Sequence, residues 1–404
     1  MEGEGQIYRY ISMPVKGVKV SDLQAFFPVT GNFTGADVIP GVASGPSLLY
    51  YNEPSYQQFP PVGGTNQDTL KMARGYSAYI REGTAPTNWQ VKGAPNQGNI
   101  TYALTGGTTP STGYNLVGNP YPAPITWTGG NGGGWTSTGV SAGISIRENH
   151  SDGTYQWKTW DGVAGNIPGG RITVGQAYWV RTTTTTPTMT IAETAKSTTD
   201  GAFYRESDPE NVIAVKMVKG TQEDDAYIRF TREATQAFDT DLDALKMSNS
   251  YFNLSTLTTD GKALAINVTT TGQCDQTISL RTANTQAGSY QLVLSGVQSL
   301  ISKDQVIFTD SYTNTTVTLV DEYTHNFSVT ADAASKADGR FKLKFIKPGV
   351  TLNNTLSTDA SCNSNNPVVL VNQSQPGVDY TAFINGVCCI DTFRWKWRQP
   401  RNCY

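Results

Sequence analysis

Tyr8-Arg-Tyr-Ile-Ser-Met-Pro14 returns later in the chain as Tyr114-Asn-Leu-Val-Gly-Asn-Pro120. In the same order, Arg74-Gly-Tyr-Ser-Ala-Tyr-Ile-Arg81 returns as Val174-Gly-Gln-Ala-Tyr-Trp-Val-Arg181. The first pair is separated by 106 residues and the second by 100. This pattern indicates a duplicated structural module. Because duplication multiplies surfaces more readily than it builds one active site, it favours an architectural or binding protein over an enzyme.

A third match lies between these anchors, where Leu48-Leu-Tyr-Tyr-Asn-Glu53 corresponds to Ile144-Ser-Ile-Arg-Glu-Asn149. Each of these stretches is followed by two aromatic residues, Tyr56 and Phe59 in the first copy and Tyr155 and Trp157 in the second. Short apolar runs bounded by Gly, Pro and Asn are typical of strands and turns. We therefore predict two β repeats, over residues 1–105 and 106–200, with one helical turn at 21–27 capped by Ser21.

A stricter alternation of apolar and polar residues begins near residue 203, as in Val212-Ile-Ala-Val-Lys-Met-Val218. About eight such runs predict an antiparallel, jelly-roll-like β-sandwich over 203–348. Residues 349–386 are interpreted as a linker and the start of a truncated Ig-like module, whose opening hairpin is predicted to pair 367–372 with 378–384. Residues 387–404 form an atypical tail of Cys, Trp and basic residues. The predicted fold class is all-β.

Composition restricts the class of protein. Charged residues make up 16% of the 404 residues, well below the usual quarter or so. The formal net charge of -3 argues against nucleic acid as a partner. No apolar run approaches the roughly 18 residues of a membrane span. The first five residues lack the basic and apolar segments of a signal peptide, so we expect an internal segment of a longer, secreted chain.

The five cysteines are unevenly placed. Only Cys274 and Cys362 precede the last seventeen residues, which hold Cys388, Cys389 and Cys403. An odd count with none in the repeats excludes a scaffold stapled by disulfides. A pair such as Cys362 with Cys388 is left open.

One segment matches a catalytic motif, because Gly139-Val-Ser-Ala-Gly143 fits the G-x-S-x-G nucleophile elbow. The elbow needs a strand-to-helix turn, whereas the residues that follow here indicate a strand. The only histidines are His150, in a predicted turn, and His325, in a predicted strand of another domain. We therefore predict no catalytic residue and no enzyme activity.

Asp239, Asp241 and Asp243 imitate the first ligands of an EF-hand calcium loop. Ala244 replaces the required glycine and Ser250 replaces the bidentate glutamate, so an EF-hand is rejected. A looser structural Ca²⁺ site that also uses Glu223, Asp224 or Asp225 stays open, against the alternative of a solvated acidic loop. No other cofactor is predicted.

Tyr155, Trp157 and Trp160 flank a predicted turn and are the candidate ligand-binding residues. Tyr155 and Trp157 share one face if the segment is a strand, and sugar rings stack on such aromatic platforms. The alternative is that these aromatics are core residues. Polysaccharide or other surface proteins are the expected partners.

Three segments resemble a known family. Leu116-Val-Gly-Asn-Pro-Tyr-Pro-Ala-Pro-Ile-Thr-Trp127 resembles a segment of large surface and secreted proteins of gliding bacteria that use type IX secretion. Gly175-Gln-Ala-Tyr-Trp-Val180 is similar to a strand that follows it in that family. Ala234-Thr-Gln-Ala-Phe-Asp-Thr-Asp-Leu-Asp-Ala-Leu-Lys246 is similar to a motif of the family's sandwich domain, and the resemblance covers about residues 8–348.

The resemblance implies export and display outside the cell or on its outer surface, often in adhesin-like multidomain proteins, and it identifies no reaction. The family's C-terminal sorting domain is not found in this sequence, which fits the expected internal segment. We therefore expect a non-catalytic structural or adhesin-like surface protein exported by type IX secretion. The alternative is a set of carbohydrate-binding modules accessory to an extracellular hydrolase.

Overall fold

The computed structural model describes residues 7–41, 45–80, 89–150, 152–197, 211–270, 275–300 and 304–346, and the backbone of four later strands. The fold is all-β, as the sequence predicted. The chain divides into two compact units, Met1–Ile346 and Lys347–Tyr404. No helix among the described residues has the length and apolar character needed to cross a membrane.

The first module is a four-stranded antiparallel sheet with one short helix. Its elements are β1 (Ile7–Ile11), α1 (Val20–Gln24), β2 (Leu48–Asn52), β3 (Ser55–Gln58) and β4 (Tyr76–Ile80), and the sheet order is β1-β4-β2-β3. The predicted cap at Ser21 is wrong by two positions, since Lys19 precedes the helix. The Asp22 carboxylate accepts the Lys19 N–H at 2.8 Å and so satisfies a donor that the helix leaves unpaired.

The second module contains a four-stranded sheet and two smaller sheets. Its strands are β5 (Ile100–Thr101), β6 (Tyr114–Gly118), β7 (Ile125–Thr126), β8 (Trp135–Thr138), β9 (Val140–Asn149), β10 (Tyr155–Trp160), β11 (Arg171–Ile172), β12 (Ala177–Thr182) and β13 (Thr188–Ile191). The main sheet has the order β6-β12-β9-β10, β7 pairs with β11, and β13 lies between β5 and β8. Strand β5 falls in the stretch assigned to the first repeat but joins the sheet of the second module.

The two four-stranded sheets have corresponding strand orders, β1-β4-β2-β3 and β6-β12-β9-β10. When Tyr8 is aligned with Tyr114, Ile11 corresponds to Val117, and their cross-strand partners are Tyr76 and Tyr178, both fully buried. The sequence match between residues 74–81 and 174–181 instead aligns Tyr76 with Gln176, two residues before Tyr178. A displacement of two residues keeps every side chain on the same face of a strand, so alternation alone does not detect it.

The two sheets meet through reciprocal contacts. Ser12 N–H donates to the Gly175 carbonyl at 2.9 Å, and the corresponding Gly118 N–H donates to the Ala73 carbonyl at 3.0 Å. Two isolated β-bridges repeat the pattern, Ile11 with Gln176 and Arg74 with Val117. A Cβ added at Gly118 would stand 2.1 Å from the Cβ of Ser12, its counterpart. Contact between a residue and its own counterpart is a property of an approximate two-fold axis.

Aromatic rings fill the space between the two sheets. The Trp179 ring lies 4.8 Å from the ring of Tyr51 and 6.2 Å from the ring of Tyr10. The Arg147 guanidinium lies 4.8 Å from the Tyr10 ring. Such aromatic pairs contribute about 0.5–1.5 kcal/mol each beyond the burial of area.

The third part of the first unit is an eleven-stranded sheet with one large core cluster and a smaller one that includes Ile266 and Val268. Its strands are β14 (Val212–Lys219), β15 (Gln222–Thr231), β16 (Ala244–Leu245), β17 (Asn253–Leu257), β18 (Ala263–Thr270), β19 (Gln276–Ala283), β20 (Gly288–Ser295), β21 (Gln305–Asp310), β22 (Thr315–Leu319), β23 (Tyr323–Val329) and β24 (Phe341–Ile346). The order is β22-β21-β24-β19-β17-β18-β15-β14-β20-β23, with β16 paired to β18.

Two details of the sandwich differ from the sequence prediction. The pair β15 with β18 is parallel, because the chain crosses over through residues 232–262 before it returns to the sheet. The two-residue strand β16 was not predicted, and neither were the longer strands β17 and β23. Both are rich in Asn, Ser, Thr or His, so their apolar alternation is weak.

The second unit is described only as strand backbone. Strand β25 (Leu356–Asp359) pairs with β26 (Val368–Val371), and β27 (Phe383–Ile384) pairs with β28 (Val387–Cys388). Strand Val368–Val371 thus pairs with a strand inside the predicted linker. The predicted partner strand at 378–384 lies largely outside the described residues, so the hairpin stays a prediction. The predicted Cys362–Cys388 pair and the character of the tail lie outside the described residues.

Candidate functional site

Both sets of candidate residues lie where the second module meets the sandwich. The aromatic residues Tyr155, Trp157 and Trp160 belong to β10, the edge strand of the second module's main sheet. The acidic residues lie in the loop between β15 and β16, which packs on β9. We call this contact region the junction.

Strand β10 is covered by residues of the sandwich. Tyr155 N–H donates to Ser250 Oγ at 2.7 Å, and Ser250 N–H donates back to the Tyr155 carbonyl at 3.1 Å. Trp157 N–H donates to Asn249 Oδ1 at 2.8 Å, and its indole Nε1–H donates to the Ser248 carbonyl at 3.1 Å. The polar groups of a sheet edge, which would otherwise attract another strand, are therefore paired within the chain.

The three candidate aromatics do not form one platform. Trp157 is 9% exposed and lies 6.1 Å from the ring of Tyr10, between the two sheets. Trp160 is on the opposite face of β10, where its Nε1–H donates to the Trp127 carbonyl at 3.2 Å. Tyr155 packs against the Arg147 guanidinium at 5.1 Å. A sugar could stack on Trp157 only if Tyr10 and the residues of the junction moved away from the ring.

The acidic loop uses its carboxylates to hold its own backbone. Asp239 accepts hydrogen bonds from the N–H and the hydroxyl of Thr235, at 2.6 and 3.1 Å. Asp243 accepts from Asp239 N–H at 2.8 Å and from Val268 N–H at 2.7 Å. Burial raises the pKa of Asp243 to about 7, against these two donors, which lower it. Across the described ranges, no three Asp, Glu, His or Cys side chains form a metal-binding group.

The same loop docks on the second module through its backbone. Ala142 N–H donates to the Asp241 carbonyl at 3.0 Å, and Ser141 Oγ donates to the Asp243 carbonyl at 3.3 Å. Ser141 is buried in strand β9 and is not part of a strand-to-helix turn. Gly143 lies so close to Ala244 that an added Cβ would stand 2.7 Å from the alanine Cβ.

Arg181, on the neighbouring strand β12, also contacts the acidic loop. Its Nη1 donates to the Thr240 carbonyl at 3.4 Å, and its guanidinium lies 5.5 Å from the ring of Phe238. Residues 238–244 of the segment 234–246, which resembles a known family, therefore form part of the sandwich surface at the junction.

Charged groups complete the junction. Arg229 Nε of the sandwich lies 2.9 Å from Asp161 Oδ2 of the second module, and both side chains are largely buried. Asn166 Nδ2 donates to Asp225 Oδ2 at 3.1 Å. Burial raises the pKa of Asp225 to about 6, although Lys216 lowers it in part. These polar groups are matched across the contact, which makes the relative position of the two parts specific.

The junction leaves little empty space. Its cavity, lined by Tyr114, Ser145, Trp179 and Asp243, has a volume of about 30 Å³. This is room for a water molecule, whereas small-molecule sites measure about 300–1,000 Å³. This cavity can hold water but is too small for a sugar ring.

A second buried polar cluster lies inside the sandwich and was missed by sequence reasoning. Arg340 donates from Nε to Asp310 Oδ1 and from Nη2 to Asp310 Oδ2, each at 2.8 Å, and His325 Nε2 lies 3.0 Å from Asp310 Oδ2. Burial raises the pKa of Asp310, but the hydrogen bonds from Arg340 and His325 outweigh this and hold the pKa well below its usual range. A signal existed, because Asp310 continues the inward-facing series of Val306 and Phe308.

One family matches the chain, over residues 135–345, and it is described as a domain of unknown function (DUF8693). The matched stretch begins with β8 and ends in β24, so it contains both sides of the junction. No curated protein and no solved structure matches the sequence. With just over half of its 404 residues matched, the chain belongs to the family described as a domain of unknown function, DUF8693.

Proposed function

We propose that this chain is a non-catalytic, adhesin-like structural part of an exported surface protein, in which two duplicated modules and a sandwich act as one stiff spacer. The observation that carries the proposal is the junction. Tyr155 and Trp157 are bonded to Ser250 and Asn249 of the sandwich, and the acidic loop is bonded through its backbone to Ala142 of the second module. The cavity of about 30 Å³ admits only water. These residues fix the geometry of the chain instead of holding a ligand.

The duplication is supported by the corresponding strand orders and the reciprocal contacts of the two sheets. Ser12 faces Gly118, its counterpart, and the backbone hydrogen bonds at 2.9 and 3.0 Å are related in the same way. Two copies that bury one another's aromatic faces form a thicker and stiffer body than a single sheet. This supports a role in spacing or display.

Export by type IX secretion is proposed from the family resemblance and from the low content of charged residues, 16%. We expect the native protein to be accessible to protease on intact cells. Immunodetection after surface proteolysis measures this, with a cytoplasmic protein as the protected control. In a strain without type IX secretion the signal should stay inside the cell; a protein that remains protected in both strains contradicts the proposal.

The alternative function is carbohydrate binding as an accessory to an extracellular hydrolase. At Tyr155, Trp157 and Trp160 it requires the junction to open, because Asn249 and Ser250 cover the strand that carries them. A glycan array run on the full chain tests this site: binding that Trp157→Phe and Trp160→Phe both weaken would support it.

A further inference from the structure

A groove of about 560 Å³ opens on the sandwich, where the β14–β15 and β21–β22 turns meet strands β20 and β23. Its volume lies within the range of small-molecule sites, about 300–1,000 Å³. None of its lining residues belongs to the junction cavity. It is therefore a separate surface, unrelated to the residues that join the domains.

Tyr312 offers an aromatic surface in this groove. It is 37% exposed, and the Arg340 guanidinium lies 4.8 Å from its ring. Tyr312 N–H donates to Asp310 Oδ1 at 3.0 Å, so the buried Asp310–Arg340 pair holds both the backbone and the ring. A ring fixed in this way binds with little further loss of conformational entropy.

Two residues that line the groove, Gln291 and Asn326, carry amide side chains. Gln291 Nε2 donates to Asn326 Oδ1 at 2.9 Å, and both side chains lie on the exposed face of neighbouring strands. Each amide side chain can both donate and accept hydrogen bonds. The bond between Gln291 and Asn326 uses one donor of Gln291 and one acceptor site of Asn326. The remaining groups match the hydroxyls of a sugar, which also donate and accept.

The charge of the groove is positive. Lys219 Nζ lies 4.8 Å from the ring of Tyr290 and 3.3 Å from its hydroxyl. Arg340 is neutralised by its bidentate pair with Asp310. No described residue that lines the groove carries a carboxylate. The ammonium of Lys219 therefore favours an anionic ligand.

We propose that this groove binds an acidic oligosaccharide, in which a sugar ring stacks on Tyr312, hydroxyls pair with Gln291 and Asn326, and a uronate carboxylate pairs with Lys219. The proposal goes beyond the structural function and does not depend on it. Binding of an acidic sugar in the groove would neither require nor exclude a role as a spacer, and it does not depend on how the protein is exported.

The test is isothermal titration of the full chain with short oligomers of galacturonate, mannuronate or glucuronate, and with the methyl ester of the oligomer that binds. We expect binding of at least one free acid and about tenfold weaker binding of its ester. Tyr312→Ala should weaken binding about tenfold. Lys219→Met should weaken it and abolish the preference for the acid over the ester.

Matched variants control for general effects. Tyr8→Ala removes an aromatic side chain of equal exposure, 37%, from the first module, and Lys342→Met removes an exposed lysine elsewhere on the sandwich. Both should bind like the parent, and thermal melts should show all four variants folded. The proposal is overturned if no acidic oligomer binds, if acid and ester bind equally, or if Tyr312→Ala and Lys219→Met both leave binding unchanged.

Discussion

Asp225 is a carboxyl group held at the junction, away from water. Its neighbours are Asn166, which donates to it at 3.1 Å, and Lys216, whose Nζ lies 3.9 Å away. Burial raises its pKa from the ordinary value of 3.8 to about 6. Between these values the folded protein binds more protons than the unfolded chain, so unfolding free energy falls as pH rises. This contribution is complete below about pH 4 and lost as pH rises through about 6.

In the parent, the Asp225 carboxyl should lower the free energy of unfolding by about 2–3 kcal/mol as the pH rises between these values. We expect this decrease to be absent in Asp225→Asn. Asparagine cannot ionise, and its carbonyl still accepts from Asn166. Urea unfolding of both proteins across this range measures the difference. Asp338→Asn, which breaks an exposed pair with Arg281, serves as the control and should keep the parent's slope. A parental slope in Asp225→Asn would show that this carboxyl is not the source.

At the scale of strands, the last residue of β6, Gly118, packs against Ser12, which directly follows β1. A Cβ at Gly118 would stand 2.1 Å from the Ser12 Cβ, so Gly118→Ala should lower the free energy of unfolding by about 1–3 kcal/mol through overpacking. Gly45→Ala, where an added Cβ meets nothing within 4 Å, is the matched control and should be nearly neutral. Chemical unfolding measures both.

The sharper form of this experiment exchanges the two residues. In the double variant Ser12→Gly with Gly118→Ser, the same side chain moves from one four-stranded sheet to the other. If an approximate two-fold axis relates Ser12 and Gly118, the double variant should regain about half or more of the free energy of unfolding that Gly118→Ser alone loses. Additive losses in the double variant would contradict the reciprocal packing.

The strand pattern was largely readable from the sequence, but the pairing was not. The run 212–218 alternates cleanly and forms β14, whereas Tyr323–Val329 carries His325 in an inward position and was missed. Alternation reports which face a side chain occupies, and it is blind to a register displaced by two residues. The displaced alignment of Tyr76 with Gln176 arose in this way.

At the scale of the whole molecule, the arrangement of the candidate site could not be predicted from the sequence for a different reason. Trp157 looks the same in sequence whether its ring faces solvent or the sandwich, and its partner Asn249 lies 92 residues away. Asp243 likewise resembles a calcium ligand until Val268 and Asp239 are seen to donate to it. Contacts between domains leave no periodic trace in the chain, so only the folded structure shows that both sets of residues belong to one junction.

If the junction joins its two parts firmly, strands on both sides should unfold together. Hydrogen exchange measured by mass spectrometry at increasing urea tests this, with peptides from β12 and β20 losing protection at the same denaturant concentration. Gly143→Val should separate the two transitions, because its Cβ would stand 2.7 Å from the Cβ of Ala244 and wedge the loop from β9. Valine favours a strand, so the effect falls on docking and not on β9 itself. Thr138→Val, at the exposed end of β8, is the control and should leave one transition. Two transitions in the parent, or one in Gly143→Val, would mean that the junction does not couple the domains.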